Sequence, residues 1–225
     1  MIEKRVNNNT RQRGRPSRIS RESIARVALD IGIQDATLVN IAKALQVDRS
    51  SLYHHVKSRK DVVSLATEIA VQELNWEAQE GATWREELIV LTDALWQLYT
   101  QNPGLAEAVQ QALVTPIEGI HGFAESVARL QQKGFALDDA VIAVDMLVDM
   151  VCDCFLGWWS NNKPDSKGKP RSERLIKLWQ EQAKNHHHAE QINAMVAIMQ
   201  AGQRQWWERK RDLVLDAIAL RLPPS

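Results

Sequence analysis

The chain has 225 residues, of which 44% are hydrophobic and 25% are charged, and its formal net charge is zero. This length allows one large domain or a small domain joined to a medium one. No uncharged apolar run reaches 18 residues, so we expect no membrane span. The polar, basic N-terminus predicts no signal peptide. The absence of P-loop, GxGxxG, GxSxG and HExxH motifs gives an enzyme no support, so we expect no catalytic residues, no metal site and no cofactor.

The zero net charge hides a strong asymmetry along the chain. Residues 1–60 contain 13 Lys and Arg against 5 Asp and Glu, whereas residues 61–225 contain 15 against 23. A basic N-terminal segment followed by an acidic remainder is typical of a nucleic-acid-binding domain joined to a domain that does not bind nucleic acid.

The first 18 residues are polar, lack periodicity and are expected to be disordered in isolation. They include Arg13-Gly14-Arg15-Pro16, which resembles the core of the AT-hook. Extended Arg side chains of this kind can lie in a narrow A·T-rich minor groove. We therefore predict that Arg13 and Arg15 contact DNA; the alternative is a basic tail that only adds attraction to phosphate.

Residues 19–65 predict a three-helix helix-turn-helix domain. The first helix begins after Ser20 and ends at Gly32, a natural residue after a helix C-terminus. Thr37 is a candidate N-cap of the second helix. Val47 and Asp48 form the break before the third helix, with Asp48 as its cap. An S-x-x-D pattern at 58–61 opens the fourth helix.

The third helix is expected to carry the side chains that contact DNA bases. Leu52 and Val56 are spaced i and i+4 and point to the core, which leaves the polar residues facing outward. Basic residues gather at the N-terminus of the fourth helix, which already favours phosphate. Base edges suit Arg, Ser and His, and phosphates suit Lys and Arg. The predicted DNA contacts in this domain are Thr37, Arg49, Ser50, Ser51, Tyr53, His54, His55, Lys57 and Arg59. Arg49 is the expected base contact, and Lys57 and Arg59 are the expected phosphate contacts.

At these residues the chain resembles a known family. The stretch from Ser20 to Ala66, and above all LYHHVKSRKDV at 52–62, resembles the DNA-binding domain of the TetR family of bacterial repressors. TWREEL at 83–88 and NPGLAEAV at 102–109 resemble the core of its tetracycline-repressor-like branch. The family usually has Gly at the turn where this chain has Gln46. A left-handed conformation there costs a non-glycine residue about 1 kcal/mol.

After the fourth helix, at about 59–76, amphipathic patterns predict only further helices. Thr83 and Glu86 form a capping box before the next of them. The predicted helices are about 84–101, 104–113, 117–134, 137–160, 171–200 and 203–221. The expected fold class is therefore all-α.

Two of these helices are expected to form a homodimer. Residues 136–159 are apolar on nearly every face, so both sides of this helix need cover. The last helix, near 203–221, is also rich in large apolar residues. The resemblance implies that the helices near 137–160 and 203–221 of two subunits form a four-helix bundle. Twofold symmetry would then present two recognition helices to successive major grooves of a near-palindromic site.

The same region carries candidate ligand contacts. Asp145, Asp149 and Asp153 form an acidic stripe. It can be the single solvent-exposed edge of an otherwise apolar helix, it can pair with Arg209, Lys210 and Arg211, or it can select a cationic ligand. Trp and Met side chains can line an adaptable pocket, although they are also common core filler. The predicted ligand-binding residues are Trp96, Met146, Asp149, Met150 and Trp158.

Two apparent chemical motifs have structural interpretations. His186, His187 and His188 are consecutive, and successive side chains on a helix point about 100° apart, so they cannot converge on one metal ion. We expect them in an exposed polar turn. Cys152 and Cys154 lie on roughly opposite sides of a helix and cannot readily bridge each other.

Together these patterns predict a disordered basic arm at 1–18, a helix-turn-helix domain at 19–65, and a larger helical ligand-binding and dimerisation domain at 66–225. The expected function is a ligand-responsive transcriptional regulator in the cytoplasm, associated with the nucleoid. It would be a repressor that a small molecule releases from a palindromic operator in double-stranded DNA. The alternatives are a transcriptional activator and a ligand-independent or architectural DNA-binding protein.

Overall fold

The computed structural model describes residues 19–74, 76, 80–111, 114–164 and 168–221. Within these ranges the chain forms helices and no strand, so the predicted all-α class is confirmed. None of these helices is long and apolar enough to cross a membrane. The predicted minor-groove contacts Arg13 and Arg15 lie outside the described residues. The helices are α1 (Arg21–Asp30), α2 (Leu38–Leu45), α3 (Arg49–Leu52), α4 (Arg59–Gln72), α5 (Trp84–Gln101), α6 (Leu105–Gln110), α7 (Ile117–Gln132), α8 (Leu137–Asn162), α9 (Arg171–Ala183), α10 (Ala189–Ala201) and α11 (Gln203–Ala219).

Helices α1 to α3 and the start of α4 form the N-terminal head. Ile24, Ile41, Leu52 and Val62, one from each helix, are fully buried where these helices meet. Thr37 caps α2 by accepting from the backbone N–H of Asn40 at 3.1 Å. α4 packs along α1 and also contacts α7, so the predicted domain boundary at 65/66 falls within a helix shared by both halves.

The turn between α2 and α3 uses a left-handed residue. Gln46 has φ 56° and ψ 47°, a left-handed conformation that favours Gly. The backbone N–H of Gln46 donates to the carbonyl oxygen of Lys43 at 3.2 Å. The backbone N–H of Val47 donates to the carbonyl oxygen of Ala42 at 3.0 Å, and these two hydrogen bonds end α2. Asp48 occupies the N-cap of α3, but its side chain makes no capping hydrogen bond, contrary to the prediction.

The C-terminal part is built around α8. This helix packs against α5, α7 and α11. Its central contact is an aromatic cluster in which Trp96 of α5 meets Phe155 and Trp158 of α8 and Trp207 of α11, with ring centroids 5.4 to 6.4 Å apart. Phe155 and Trp207 are almost fully buried. These contacts join three helices that lie far apart in sequence.

The predicted single helix at 171–200 is wrong. The chain forms two helices, α9 and α10, that pack against each other and are joined by a turn at 184–188. Asn and His have modest helix propensity, and His186 Nδ1 accepts from the backbone N–H of His188 at 3.0 Å, which stabilises the turn. The three His are exposed, so the predicted polar turn is confirmed. α4 ends at Gln72 rather than near 76.

Gln46→Gly is expected to stabilise the protein. It relieves the left-handed strain of a side chain with a Cβ, a gain of about 1 kcal/mol before the added flexibility of the unfolded chain reduces it. Urea unfolding measures the change, with Gln46→Ala as the control, because Ala retains the Cβ. A Gly variant less stable than the Ala variant would show that the turn carries no such strain, because only the unfolded-state cost of Gly would then remain.

Candidate DNA-binding surface and core cavity

The outward face of α3 is polar and is not used in packing. Arg49, Ser50, Tyr53 and His54 are exposed, and Ser51 and His55 are half-buried. α3 itself runs only from Arg49 to Leu52, and the chain then turns so that the backbone N–H of Val56 donates to Leu52 at 3.0 Å. All six predicted side chains of this segment therefore lie on one short surface element.

Arg49 and Tyr53 form a pair on this surface. The Arg49 guanidinium donates to the Tyr53 hydroxyl at 2.6 Å and lies 5.5 Å from the ring centroid. Both contacts limit the rotamers open to a long, exposed side chain. A guanidinium held in this way keeps donors for a base edge while its orientation is restricted.

The start of α4 places further donors beside α3. The Ser58 hydroxyl accepts from the backbone N–H of Asp61 at 3.2 Å, and the Asp61 carboxylate accepts from that of Lys57 at 2.8 Å. The Lys57 hydrogen bond is the main cause that lowers the pKa of Asp61. The Lys57 ammonium is exposed, whereas the Arg59 guanidinium donates to the carbonyl oxygens of Ile33 at 2.6 Å and Gln34 at 3.4 Å.

One junction between head and core lies at the loop that Arg59 holds. The backbone N–H of Ile33 donates to the carbonyl oxygen of Pro103 at 2.8 Å. The Gln34 amide donates to the Glu107 carboxylate at 3.1 Å. Gly104 has φ 90°, and a Cβ there would lie 2.6 Å from Gln34 Cγ and 2.8 Å from its backbone nitrogen. The loop between α1 and α2 is therefore in direct contact with the start of α6.

A second junction joins α4 to α7. The two carboxylate oxygens of Glu68 accept from the backbone N–H groups of Ile117 at 2.9 Å and Glu118 at 3.3 Å. Pro116 is the N-cap residue of α7, and its side chain has no acceptor. Glu68 therefore supplies, from another helix, the cap that the start of α7 lacks.

A cavity of about 190 Å³ lies between these junctions and α8. Its walls come from α4 to α8 and from Trp76, whose ring faces the Arg129 guanidinium at 5.4 Å. A ligand in it would touch α6 and the start of α7, the elements that contact the head. The lining residues are Thr67, Val71, Leu74, Trp76, Leu91, Leu95, Leu98, Tyr99, Leu105, Val109, Pro116, Glu118, Gly119, Gly122, Phe123, Ser126, Val144 and Val148.

The ligand contacts predicted from the sequence do not line this cavity. Trp96 and Trp158 belong to the aromatic cluster, Met146 and Met150 are half-buried on α8, and Asp149 is exposed. The lining residues on α4 and α7 were missed because their apolar spacing matches ordinary core. The family-like segment NPGLAEAV was the available signal, since Leu105 and Val109 within it line the cavity.

The acidic stripe of α8 is exposed, which fits the expected solvent-exposed edge of this helix, and the described residues show no ion pair between the stripe and α11. Arg211 is buried and bonds Asp93 of α5 at 2.6 Å. The Lys210 ammonium lies 4.1 Å from the Trp206 ring centroid. Partial burial, with smaller contributions from Asp145 and Asp153, raises the pKa of Asp149. The stripe remains an exposed acidic surface, and it lies outside the cavity.

Both helices predicted to form the dimer expose apolar side chains. The exposed fraction is 53% for Leu137 and 61% for Ile142 on α8, and 71% for Leu213 on α11. Leu220, at the end of α11, is exposed as well. Ile117 and Ile120 of α7 and Leu178 of α9 are exposed to a similar degree, so exposure alone does not single out α8 and α11 as an interface.

Solved structures with the same fold extend over most of the chain. A Streptomyces coelicolor TetR family protein, ActR, in complex with actinorhodin has a TM-score of 0.75 and 16% identity, covering 91% of this chain and 97% of ActR. A possible TetR family transcriptional regulator from the same organism has a TM-score of 0.75 and 18% identity, covering 89% and 99%. A TetR variant from Acinetobacter baumannii in complex with minocycline has a TM-score of 0.66 and 16% identity, covering 91% and 94%.

Sequence comparison gives a narrower match. An HTH-type transcriptional regulator of Saccharopolyspora erythraea is 26% identical over 132 residues, which are 56% of this chain and 55% of that protein. The match thus spans about half the length of this curated relative. No family model matches the chain. The resemblance noted from the sequence is confirmed at the level of the fold.

Gly104→Ala is expected to force the head away from the core. The added methyl group would overlap the backbone of Gln34 and would also be strained at a positive φ, for a total cost of about 2–4 kcal/mol. Gly134→Ala is the matched control, because Gly134 has φ 97° and nothing lies within 4 Å of its Cβ position. Thermal unfolding measures both. Equal destabilisation of the two variants would show that backbone strain alone is responsible and that the close contact with Gln34 contributes nothing.

Proposed function

This chain has the fold of the TetR family of regulators over about nine-tenths of its length, and we propose that it is a ligand-responsive, sequence-specific DNA-binding transcriptional regulator. More narrowly, it is a homodimeric repressor that a small molecule releases from a near-palindromic operator. It acts on DNA in the cytoplasm. The observation that carries the proposal is the α3 surface, where polar side chains unused in packing lie beside the basic start of α4.

The α3 surface supplies both kinds of contact that a duplex offers. Arg49, oriented by Tyr53, suits the acceptor edge of guanine in the major groove. Lys57 at the start of α4 suits phosphate, and the Thr37 hydroxyl at the start of α2 can donate to a phosphate while its oxygen caps the helix. Arg59 reaches phosphate only if it releases the carbonyl groups of Ile33 and Gln34. Its bonds to these carbonyls link DNA contact to the position of the loop.

The exposed apolar residues of α8 and α11 support dimerisation. Leu137, Ile142 and Leu213 would leave water if the two helices packed against their counterparts in a second subunit. Removing apolar area from water is favourable by about 25 cal/mol per Å². A twofold dimer of this kind would present two α3 elements to a site with dyad symmetry.

The cavity supports an effector site coupled to the DNA-binding surface. Its walls include Leu105 of α6 and Gly119 of α7. The start of α6 contacts the Ile33–Gln34 loop, and the start of α7 is capped by Glu68 of α4. A ligand that fits better when α6 and α7 shift would move both contacts with the head, and it acts only through this difference in affinity.

Selection of bound sequences from a random DNA pool at physiological salt tests the proposal. A near-palindrome is expected. Recovery of A·T-rich DNA without a dyad would instead favour an architectural protein that binds mainly through the arm containing Arg13 and Arg15. An effector that strengthens rather than weakens binding to the selected site would exclude release as the mechanism.

Arg49→Ala should relax specificity at one base pair of each half-site and weaken binding there by about 1–3 kcal/mol. Lys57→Ala is the comparison, because loss of a phosphate contact weakens binding to all sequences about equally. Binding measured against a set of single-base operator variants separates the two patterns. A uniform loss for Arg49→Ala would reassign it to phosphate.

Glu68→Gln should reduce the effect of the effector on DNA affinity several-fold. Coupling between two sites typically changes affinity by about 5- to 150-fold, which corresponds to about 1–3 kcal/mol. Gln keeps the size of the side chain but loses its charge and one of the two acceptors that cap α7. Glu73→Gln is the matched control, because Glu73 of the same segment pairs with Arg26 inside the head at 2.9 Å. DNA affinity is measured with and without effector. If the effector changes the DNA affinity of Glu68→Gln as much as that of the wild type, the contact of Glu68 with α7 does not couple the two sites.

A further inference from the structure

The chemistry of the cavity restricts what can occupy it. We infer that the effector is a compact, uncharged, mainly apolar molecule with one substituted ring or two fused rings. This inference rests on the proposed function and names the ligand class of the same site. It is carried by three properties of the lining: the engagement of its polar groups, its charge, and its size.

The three hydroxyl groups of the lining are already engaged within the protein. The Thr67 hydroxyl donates to the carbonyl oxygen of Val63 at 2.8 Å, and the Ser126 hydroxyl donates to that of Gly122 at 2.8 Å. The Tyr99 hydroxyl is hydrogen-bonded to the Cys152 thiol, and burial raises the pKa of Tyr99, so this group stays neutral. A polar ligand group buried against these hydroxyl groups would lose water without gaining a free hydroxyl donor in exchange.

The charge of the lining disfavours an anion. Glu118 is the one ionisable acid among the lining residues that the structure describes, and none of them is Lys, Arg or His. The sequence of the neighbouring segments 75–79 and 110–115 also contains no Lys or Arg. The backbone N–H groups at the start of α7, which would otherwise attract an anion, already bind the Glu68 carboxylate. A carboxylate ligand would therefore meet the negative charge of Glu118. The Arg129 guanidinium lies over the Trp76 ring and pairs with Glu125 at 3.5 Å, but it is not among the lining residues.

A cation also lacks an adequate partner. The Glu118 side chain is 43% exposed and lies 3.6 Å from His121, so its charge is hydrated at the rim rather than directed at an enclosed ligand. Asp149, the acidic residue that suggested a cationic ligand, lies outside the cavity. An ammonium group would give up its water for a single solvated carboxylate, which does not compensate for desolvation.

The size of the cavity favours a compact shape. An apolar cavity of about 150 Å³ in another protein holds benzene. At about 190 Å³, this cavity has room for a somewhat larger ring system. Its walls come from five helices and the aromatic side chains Trp76, Tyr99 and Phe123, which suit the faces and edges of a flat ring.

The test uses four probes that share size but differ in charge or shape: naphthalene, 1-naphthoate, 1-naphthylmethylammonium and 1-decanol. Isothermal titration of the full-length protein without DNA measures each affinity. Naphthalene should bind at least about tenfold more tightly than either charged analogue. Tighter binding of either ion, or of the straight-chain alcohol, would overturn the inferred class.

Two variants place the binding in this cavity. Val148→Trp fills the space from α8 and should abolish naphthalene binding, whereas Asp149→Asn, the next residue along the same helix but outside the lining, should leave it unchanged. Val109→Phe fills the same space from α6 and replaces Val148→Trp if circular dichroism shows that Val148→Trp does not fold. Undiminished naphthalene binding in a folded cavity-filling variant would overturn the assignment to this cavity.

The proposed function is tested separately, by measuring affinity for the selected DNA site with and without each probe. Naphthalene binding that leaves DNA affinity unchanged would contradict regulation through this cavity while the ligand class stands. Release of DNA by 1-naphthoate but not by naphthalene would contradict the class while regulation stands. Release by naphthalene that is lost in the cavity-filled variant supports both.

Discussion

The start of α7 is capped by a carboxylate from α4, and the relation between the two halves of the molecule depends on this contact. A helix N-terminus has free N–H groups and a partial positive charge. Pro116 at the N-cap cannot satisfy them, so Glu68 does so with both of its oxygens. Separation of α4 from α7 would leave unpaired donors on one side and an unpaired carboxylate on the other, unless water replaced both. The two helices are therefore expected to move together or to part in one discrete step.

The second junction has a different character and makes the connection less dependent on one side chain. At Gly104 the two halves meet backbone to backbone, with the hydrogen bond from Ile33 to Pro103 and no room for a Cβ. Arg59 holds the other side of the same loop through the carbonyl groups of Ile33 and Gln34. A shift of α6 would thus alter the environment of a residue at the candidate DNA-binding surface without any contact between that residue and a ligand in the cavity. Packed interfaces of this kind favour a few discrete arrangements over continuous deformation.

Local features were predictable from the sequence, whereas the cavity was not. The caps at Thr37, Ser58 and Thr83 depend on residues within three positions of each other, and the structure confirms them. The break within 171–200 was missed because apolar spacing continues on both sides of the His turn. A cavity forms where side chains from segments that are distant in sequence leave space between them. The local spacing of apolar residues therefore does not indicate it. Trp96 and Trp158 illustrate the difficulty, because large aromatic side chains at helical spacing are equally suited to line a pocket and to fill one, and here they pack against each other.

The exposed face of α8 changes character along its length, and this limits how a second subunit can pack on it. The first turns present Leu137, Val141 and Ile142 together with one exposed carboxylate, Asp138, whereas the following turns present Asp145 and Asp149, which are exposed. Burial of unpaired carboxylates costs several kcal/mol per ion, roughly, and the raised pKa of Asp149 shows that its charge is already disfavoured in the single subunit. An interface centred on these first turns and on Leu213 of α11 avoids that cost at Asp145 and Asp149 and has only Asp138 of the exposed aspartates to keep hydrated. An interface that ran the full length of α8 would have to bring basic groups of the partner against the stripe, or leave it hydrated.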